Sequence, residues 1–363
     1  MQNQDPKPTR RQFLSALAAG SLAAPAAAMV GSSRRGPELL IRKAVKPIAI
    51  SSGNGMKAVE LTLTRLLAGV RPVDAAVAGV NLVENDPEDM SVGYGGRPNA
   101  DGVVELDSCV MDGPTHLAGA VAALRNNKNP SLVALEVMRR TDHVLLVGDG
   151  ALRFARMHGF KDEDILTDAA RKEWLAWREN LSTKDDWVPR KDNELPGKEP
   201  KKQERRQERE HGTIHLSALD SKGDLGAVTT TSGLAYKIPG RVGDSPLIGC
   251  GMWLDNDIGS AGSTGRGEAV ILSNGSAQIV EQMRQGKSPT DACLELCKRI
   301  AHYTRISRLL TEDGKPNFQV NFYAINKKGE WGAASLYPSR CALATEDGVE
   351  KKTMATLYER WPR

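Results

Sequence analysis

Between Thr213 and Glu268 the chain concentrates hydroxyls, glycines and one opposed pair of charges. Three consecutive threonines, Thr229, Thr230 and Thr231, precede a glycine in "TTTSG". Arg241 and Asp244 share one loop, "GRVGDSP". A guanidinium binds a carboxylate through charge-assisted hydrogen bonds, and a carboxylate binds an ammonium. Held three residues apart, the two can clamp a zwitterion. "GSTGRG" sets Thr264 and Gly265 side by side. Glycine lets backbone N–H groups face a ligand there. Taken singly, each word is ordinary turn chemistry, and a surface Arg–Asp pair contributes little. Together in one segment they suggest an amino-acid site with donors placed for an oxyanion.

One junction lies just upstream. In "QEREHGTIHLSALD" a charged run, Lys198 through Glu210, stops abruptly. After His211 and Gly212 the chain reads as a buried strand opening at Thr213. Threonine is common in strands, so the junction takes its meaning from the hydroxyl- and glycine-rich words downstream.

Other chemistries find no support. The sequence has no HExxH, no Cys/His cluster at metal-binding spacing and no Walker loop. "VGDGA" at Val147–Ala151 lacks the full dinucleotide fingerprint and reads as a structural turn. No cofactor and no metal are expected. The five cysteines form no CxxC; Cys293 and Cys297 share a helical face but aim poorly for a disulfide, so core thiols are expected. The net charge is +4, and Lys7, Arg10 and Arg11 against Asp5 supply +2 of it (3 − 1). That balance gives no support for a nucleic-acid partner.

The elements must place these residues. With 363 residues and 40% hydrophobic composition the chain can bury a sizeable core. "PTRRQFLSALAAGSLAAPAAAMV" reads as a twin-arginine export signal over 1–28, with small-residue cleavage patterns. A membrane helix is the rival reading, but Ala, Gly, Ser and Pro25 make the run weakly apolar. The rest is expected to be periplasmic or secreted, with no membrane segment. "KPIAISSGN" and "GVVELDSCVMDG" read as strands. "MKAVELTLTRLLAGV", "RPVDAAVAGVNLVEND", "THLAGAVAALRN" and "NPSLVALEVMRRT" read as helices. "HVLLVGDGALRFARMHG" reads as strand, turn and helix, and "RKEWLAWRENLSTKDDW" as a helix. Lys184–Glu210 carries three prolines and dense charge, which predicts a mobile tether. Beyond it come a hairpin over "TIHLSALDSKGDLGAVTTTSG", a strand followed by Gly/Ser loops, two helices and a second hairpin over "FQVNFYAINKKGEWGAASLY". Neither side of the tether closes alone. The pattern is two sheets layered between helices.

"HGTI", "TTTSGLAYKIPGRVGDSPLIG" and "DNDIGSAGSTGRGE" resemble the glycosylasparaginase family, N-terminal nucleophile hydrolases related to the plant-type asparaginases. "VENDPEDMSVGYGGRPNADGVVELDSCVMDG" and "HVLLVGDGALRFA" resemble its first subunit. The similarity spans roughly Pro47 to Lys327. It implies an α/β (α+β) fold, a four-layer αββα sandwich of two stacked, mainly antiparallel sheets. It also implies that the precursor cuts itself between Gly212 and Thr213, dividing one domain into an α subunit, 29–212, and a β subunit, 213–363. Thr213 would be the nucleophile, with its freed α-amine as base. Thr231 would polarise that hydroxyl, Arg241 and Asp244 would bind the substrate's α-groups, and Thr264 with Gly265 would form the oxyanion hole. The implied partner is a small-molecule asparagine amide, N4-(β-N-acetylglucosaminyl)-L-asparagine, and the implied assembly is an αβ heterodimer paired into a heterotetramer.

Two positions depart from the family. Gly212 stands where typical glycosylasparaginases carry an aspartate, as in plant-type asparaginases. Gly53, in "SSGN", stands where the family has an active-site tryptophan. Both leave a plain asparaginase or β-aspartyl peptidase open as an alternative. A periplasmic amino-acid binder that never processes is a third reading, opposed by the complete set Thr213, Thr231 and Thr264. Gly212→Asp is expected to speed the cut unless Gly212 has a positive φ.

Overall fold

The computed structural model describes residues 45–180 and 211–361. The export segment expected over 1–28 and the tether expected over 184–210 lie outside the described residues. Strand β1, Ile48–Ser52, is buried along its whole length, as a run of apolar and small residues at the middle of a sheet must be. It is followed by α1, Met56–Leu67, and α2, Pro72–Glu84. A proline opens α2 where its missing N–H has no helical partner to lose. Strands β2, Leu106–Asp112, and β3, Leu117–Leu124, pair antiparallel. Then come α3, Pro130–Arg140, β4, Leu145–Val147, α4, Gly148–Met157, and α5, Asp168–Glu179.

Past residue 210 the chain forms the hairpin β5, His211–Leu219, and β6, Leu225–Leu234. Strands β7, Met252–Asp255, and β8, Gly259–Gly265, follow. Helices α6, Gly267–Ser273, α7, Gly275–Arg284, and α8, Pro289–Tyr303, come next. Ser288 caps α8 by accepting from the Asp291 N–H at 3.1 Å. The chain closes with β9, Val320–Asn326, β10, Trp331–Ser335, β11, Arg340–Thr345, β12, Gly348–Thr353, and β13, Ala355–Thr356.

Two sheets result, with strand orders β12-β11-β1-β5-β6-β2-β3-β4 and β13-β10-β9-β8-β7. Pairing is antiparallel except for β3 with β4 and β10 with β13. Three cores separate four layers. The first joins α1, α2 and α3 to the eight-stranded sheet through Val59, Leu63, Val77, Val80, Val133 and Val137. The second lies between the sheets, around Ile50, Met111, Leu225, Leu254, Tyr323 and Ile325. The third joins the five-stranded sheet to α7 and α8 through Phe322, Ile279, Val280 and Leu296. The expected four-layer αββα sandwich is the fold observed. The eight-stranded sheet interleaves strands from both sides of residue 212, with β5 and β6 at its centre.

Two segments differ from their sequence readings. "THLAGAVAALRN" contains strand β3, not a helix. Its small residues let the strand lie against α3; a Cβ at Gly119 would stand 2.2 Å from the Ala134 carbonyl oxygen. Alanine's helical preference is outweighed by that contact and by pairing on both edges. "GSAGSTG" is not a loop but the buried strand β8. Glycine there makes room for a side chain from the facing sheet, since a Cβ at Gly262 would sit 2.0 Å from the His215 ring. All five cysteines are free thiols.

His215 is wholly enclosed between the sheets, with Nδ1 2.8 Å from Thr229 Oγ1 and Nε2 2.9 Å from Ser217 Oγ. Burial pushes its pKa down to about 3. The folded state therefore holds it neutral, and its contribution to stability is complete above the unfolded value near ~6.5. That contribution is lost as the pH falls from there toward about 3. Denaturation of wild type and His215→Gln across pH 4–8 tests this. The wild-type advantage should shrink by roughly 1.4 kcal/mol per unit below ~6.5; a constant difference would contradict it.

Candidate active site

The β5–β6 ladder is irregular at one place. Gly212 stands opposite Gly233, and Ile214 stands opposite Thr230. One residue of β5, Thr213, therefore faces two of β6, Thr231 and Ser232. Such a bulge bends its strand and re-aims the side chains beside it. Here it sets two hydroxyls on one carbonyl. Thr213 Oγ1 lies 2.7 Å from the Gly212 oxygen, and Thr231 Oγ1 lies 2.5 Å from it. The two hydroxyl oxygens are 3.1 Å apart. Thr231 also accepts the Gly233 N–H at 2.8 Å. Its single proton is then committed to the Gly212 oxygen, so Thr213 is the donor between the two hydroxyls.

Gly212 is held from the other side by the loop after α2. A Cβ at Gly212 would lie 1.6 Å from the Ser91 Cβ and 2.4 Å from its Cα. Gly212 does not have a positive φ, so steric contact with Ser91, not backbone handedness, is what requires glycine. The loop is fixed in turn. Both the N–H and the hydroxyl of Ser232 donate to the Ser91 carbonyl, at 2.8 and 2.9 Å. The Ser91 N–H donates to Asp89 at 3.0 Å, and its hydroxyl also reaches that carboxylate. Asp89 further accepts from Asn54, whose amide oxygen accepts the Ser52 hydroxyl. An aspartate at 212, expected to speed cutting, meets a steric obstacle: no side chain fits there unless Ser91 moves.

Beyond the bulge, Arg241 is paired with Glu268 rather than Asp244. Nε and Nη2 of Arg241 both approach one Glu268 oxygen, at 2.9 and 2.7 Å. Nη1 lies over Gly233 and Gly243, where Cβ atoms would come within 3.4 and 3.0 Å of it. Burial pushes the Glu268 carboxyl up, but the Arg241 charge and hydrogen bond, with Arg266, outweigh it and hold the group low. Asp244 is 5% exposed and accepts the Ser263 hydroxyl at 2.6 Å. Burial pushes it up to about 6 against the lowering effect of Ser263 and Arg241. A Cβ at Gly267 would stand 2.8 Å from its Oδ1, so that oxygen too is approached through a glycine. Lys237, fully buried, ties the turn beneath by donating to the carbonyls of Glu105 at 2.9 Å and Ser232 at 3.1 Å.

Thr264, at the end of β8, is 5% exposed. Its Oγ1 is 2.9 Å from Tyr323 Oη and 3.0 Å from Asn321 Nδ2. Gly265 has φ +107°, and a Cβ there would strike the Gln319 carbonyl oxygen at 2.4 Å. That position needs glycine on both counts.

Thr213 sits where two cavities meet. One is a small pocket of about 10 Å³, room for roughly a single water, bounded by Gly212, Thr213, Thr231, Arg241, Asp244 and Gly265. The other is an open cleft of about 670 Å³ reaching Gly53, Ser91, Thr264, Asn321 and Trp361. All seven residues singled out in the sequence thus gather around one hydroxyl. Glu268, Ser263, Ser91, Asn321 and Tyr323 were not singled out. Glu268 closes the word "GSTGRGE" and Ser91 opens "SVGYGG", so both were adjacent to recognised motifs. Nothing in the sequence pointed to Asn321 or Tyr323, which arrive from β9. Among the described residues no cluster of His, Cys, Asp and Glu has the makings of a metal site.

Residues 45–322 match the family described as Asparaginase. The chain belongs to the asparaginase family. It is similar to an N(4)-(β-N-acetylglucosaminyl)-L-asparaginase of Elizabethkingia miricola, 44% identical over 291 residues, covering 79% of this chain and 78% of the relative. Proteins of the same name from mouse and rat are 34% and 33% identical, each over 79% of this chain and 84% of the relative. The family read from the sequence is borne out, and this asparaginase is an amidohydrolase.

Asp244 gives the asparaginase site a pH signature. Below about 6 the carboxyl takes up a proton and loses the charge that an ammonium would meet. Affinity for L-aspartate, followed by calorimetry from pH 4.5 to 8, should fall about tenfold per unit below that inflection. Asp244→Asn should bind weakly and without the inflection. Wild-type affinity that stays level across the range would refute the assignment.

Proposed function

We propose that this asparaginase activates itself by cutting Gly212–Thr213 and then hydrolyses the side-chain amide of N4-(β-N-acetylglucosaminyl)-L-asparagine. The observation that carries the reading is the position of the Thr213 hydroxyl, bonded to Thr231 and 2.7 Å from the Gly212 oxygen, between a tight charged cavity and an open cleft. The names of the relatives support the substrate.

In the first reaction Thr213 Oγ1 attacks the Gly212 carbonyl carbon. Thr231 donates to the carbonyl oxygen, and the hydroxyl proton of Thr213 passes to its own departing nitrogen. The ester that remains is hydrolysed by water, leaving a Gly212 carboxylate and a free Thr213 amine. With a reference pKa near ~7.7–8.0, that amine has a useful neutral fraction at working pH. It then serves as base to its own hydroxyl, with no histidine required. In turnover Arg241 holds the substrate's α-carboxylate and Asp244 its α-ammonium. Thr213 Oγ1 attacks the side-chain carbonyl, and the oxyanion lies between the Thr264 hydroxyl and the Gly265 N–H. The amine base, now protonated, passes its proton to the leaving glycosylamine. Water cleaves the β-aspartyl ester and releases aspartate. The leaving sugar is assigned to the open cleft, which has the room for it.

Gly53 favours a second reading, a plain asparaginase or β-aspartyl peptidase, because at that wall of the cleft it offers no side chain to pack on a sugar. Export by the twin-arginine route remains part of the proposal; among the described residues no helix is long and apolar enough to cross a membrane. The two processed subunits are proposed to form an αβ heterodimer, and two such heterodimers to pair into a heterotetramer. Exposed Leu272, Tyr303 and Ile238, at 83%, 57% and 49%, surround one apolar groove and support such a contact.

Intact mass of the purified protein should give one chain ending at Gly212 and another beginning at Thr213. Thr213→Ala should abolish cutting and turnover together, while Thr213→Ser should keep some of each. An active protein found as one uncut chain would sink the proposal. Gly212→Ala and Gly212→Asp should both slow precursor loss in a time course, because each pushes Ser91 off the scissile peptide. Cutting as fast as wild type in either variant would show that this packing is immaterial.

A further inference from the structure

Thr264 carries one hydroxyl proton and two lone pairs, and what it can do for an oxyanion depends on where that proton goes. Two neighbours from β9 reach its oxygen, Tyr323 Oη at 2.9 Å and Asn321 Nδ2 at 3.0 Å. Among the described residues Thr264 Oγ1 is the hydrogen-bond partner of both groups. Tyr323 is 1% exposed, its ring lying between the sheets 6.0 Å from the His215 ring and parallel to within 15°. A buried phenol with one partner must donate to it or leave its proton without an acceptor, which is the costlier choice. Burial also pushes the Tyr323 pKa well above its ordinary value, so the phenol keeps its proton.

The same reasoning fixes the Asn321 amide. In the orientation observed its Nδ2 donates to Thr264, and its buried Oδ1 has no partner. Turning the amide over would strand an NH2 in place of a carbonyl. Orphaned buried donors are rarer than under-used carbonyl oxygens. Both neighbours therefore donate, and both lone pairs of the Thr264 oxygen are filled. No protein acceptor among the described residues is left for its own proton, and Thr264 lines the cleft beside Thr213 and Gly265.

We propose that Asn321 and Tyr323 are positioning residues which, by donating together to Thr264, free its single proton for the substrate oxyanion. The inference rests on the oxyanion role proposed for Thr264. It gives β9 a part in catalysis without contact to the reacting atoms, and it explains why a tyrosine hydroxyl is buried between the two sheets.

The test is steady-state kinetics on fully processed protein with a β-aspartyl amide substrate, using Tyr323→Phe, Asn321→Ala, Thr264→Val and the double variant Thr264→Val/Tyr323→Phe. Tyr323→Phe removes one oxygen atom and keeps the ring in its place, so folding is the least disturbed. It should lower kcat about tenfold, the scale of one lost hydrogen bond, with KM within about twofold of wild type. Asn321→Ala should act in the same direction. Thr264→Val should lower kcat by about 10²–10³-fold, as loss of an oxyanion donor does. In the Thr264→Val background, Tyr323→Phe should cost nothing further, because no proton remains to be directed. A purely structural tyrosine would instead multiply the two losses. Unchanged kcat in Tyr323→Phe, or multiplied losses in the double variant, overturns the positioning role while the oxyanion assignment stands. Unchanged kcat in Thr264→Val overturns both.

Discussion

Everything at this site depends on the bulge between β5 and β6. A regular antiparallel ladder would send Thr213 and Thr231 to positions set by the pleat alone. The two-against-one count brings both hydroxyls onto the Gly212 oxygen, within 2.7 Å. Because these strands lie at the centre of the eight-stranded sheet, the irregularity cannot relax without disturbing neighbours on both sides. Ser91 presses on Gly212 from the loop after α2, and Ser232 holds that loop through two hydrogen bonds. The hydroxyl pair, the Gly212 carbonyl and the loop that packs against it form one connected unit.

Close approach through glycine is the second recurring device. Gly243 and Gly233 admit the Arg241 guanidinium, Gly267 admits Asp244, and Gly262 admits His215. A Cβ at Gly262 or Gly267 would collide with the group it admits, and one at Gly243 would crowd the guanidinium at 3.0 Å. Confinement has an electrostatic consequence, because burial raises the carboxyl of Asp244 and lowers the imidazole of His215. The same burial acts on Glu268, yet the adjoining Arg241 reverses the outcome. One carboxyl of the cavity is thus held charged by its partner, and the other titrates near the working range.

The outline of the fold was legible wherever hydrophobic period and punctuation agreed. Pro72, Pro130 and Pro289 stand at the starts of helices, and the Lys222-Gly223 turn marks the β5–β6 hairpin. The reading failed at β3 and β8, where small residues dominate. Alanine and glycine carry little periodic signal. Their conformation is decided by the partner that needs the space, which is α3 for Gly119 and the His215 ring for Gly262.

The residue types of the site were determined by the sequence alone. Thr213, Thr231, Arg241, Asp244, Thr264 and Gly265 lie within 53 positions of one another (265 − 213 + 1), in short words that local chemistry makes conspicuous. The tertiary structure decided their partners. Arg241 took Glu268 rather than Asp244, its neighbour in sequence, Asp244 took Ser263, and Thr264 took two partners more than 50 residues away. Sequence spacing fixes what a short loop can present, whereas hydrogen-bond partners depend on which strands meet. Strand meeting was set by a register shift and by glycine-scale gaps between layers, neither of which one chain read in order displays.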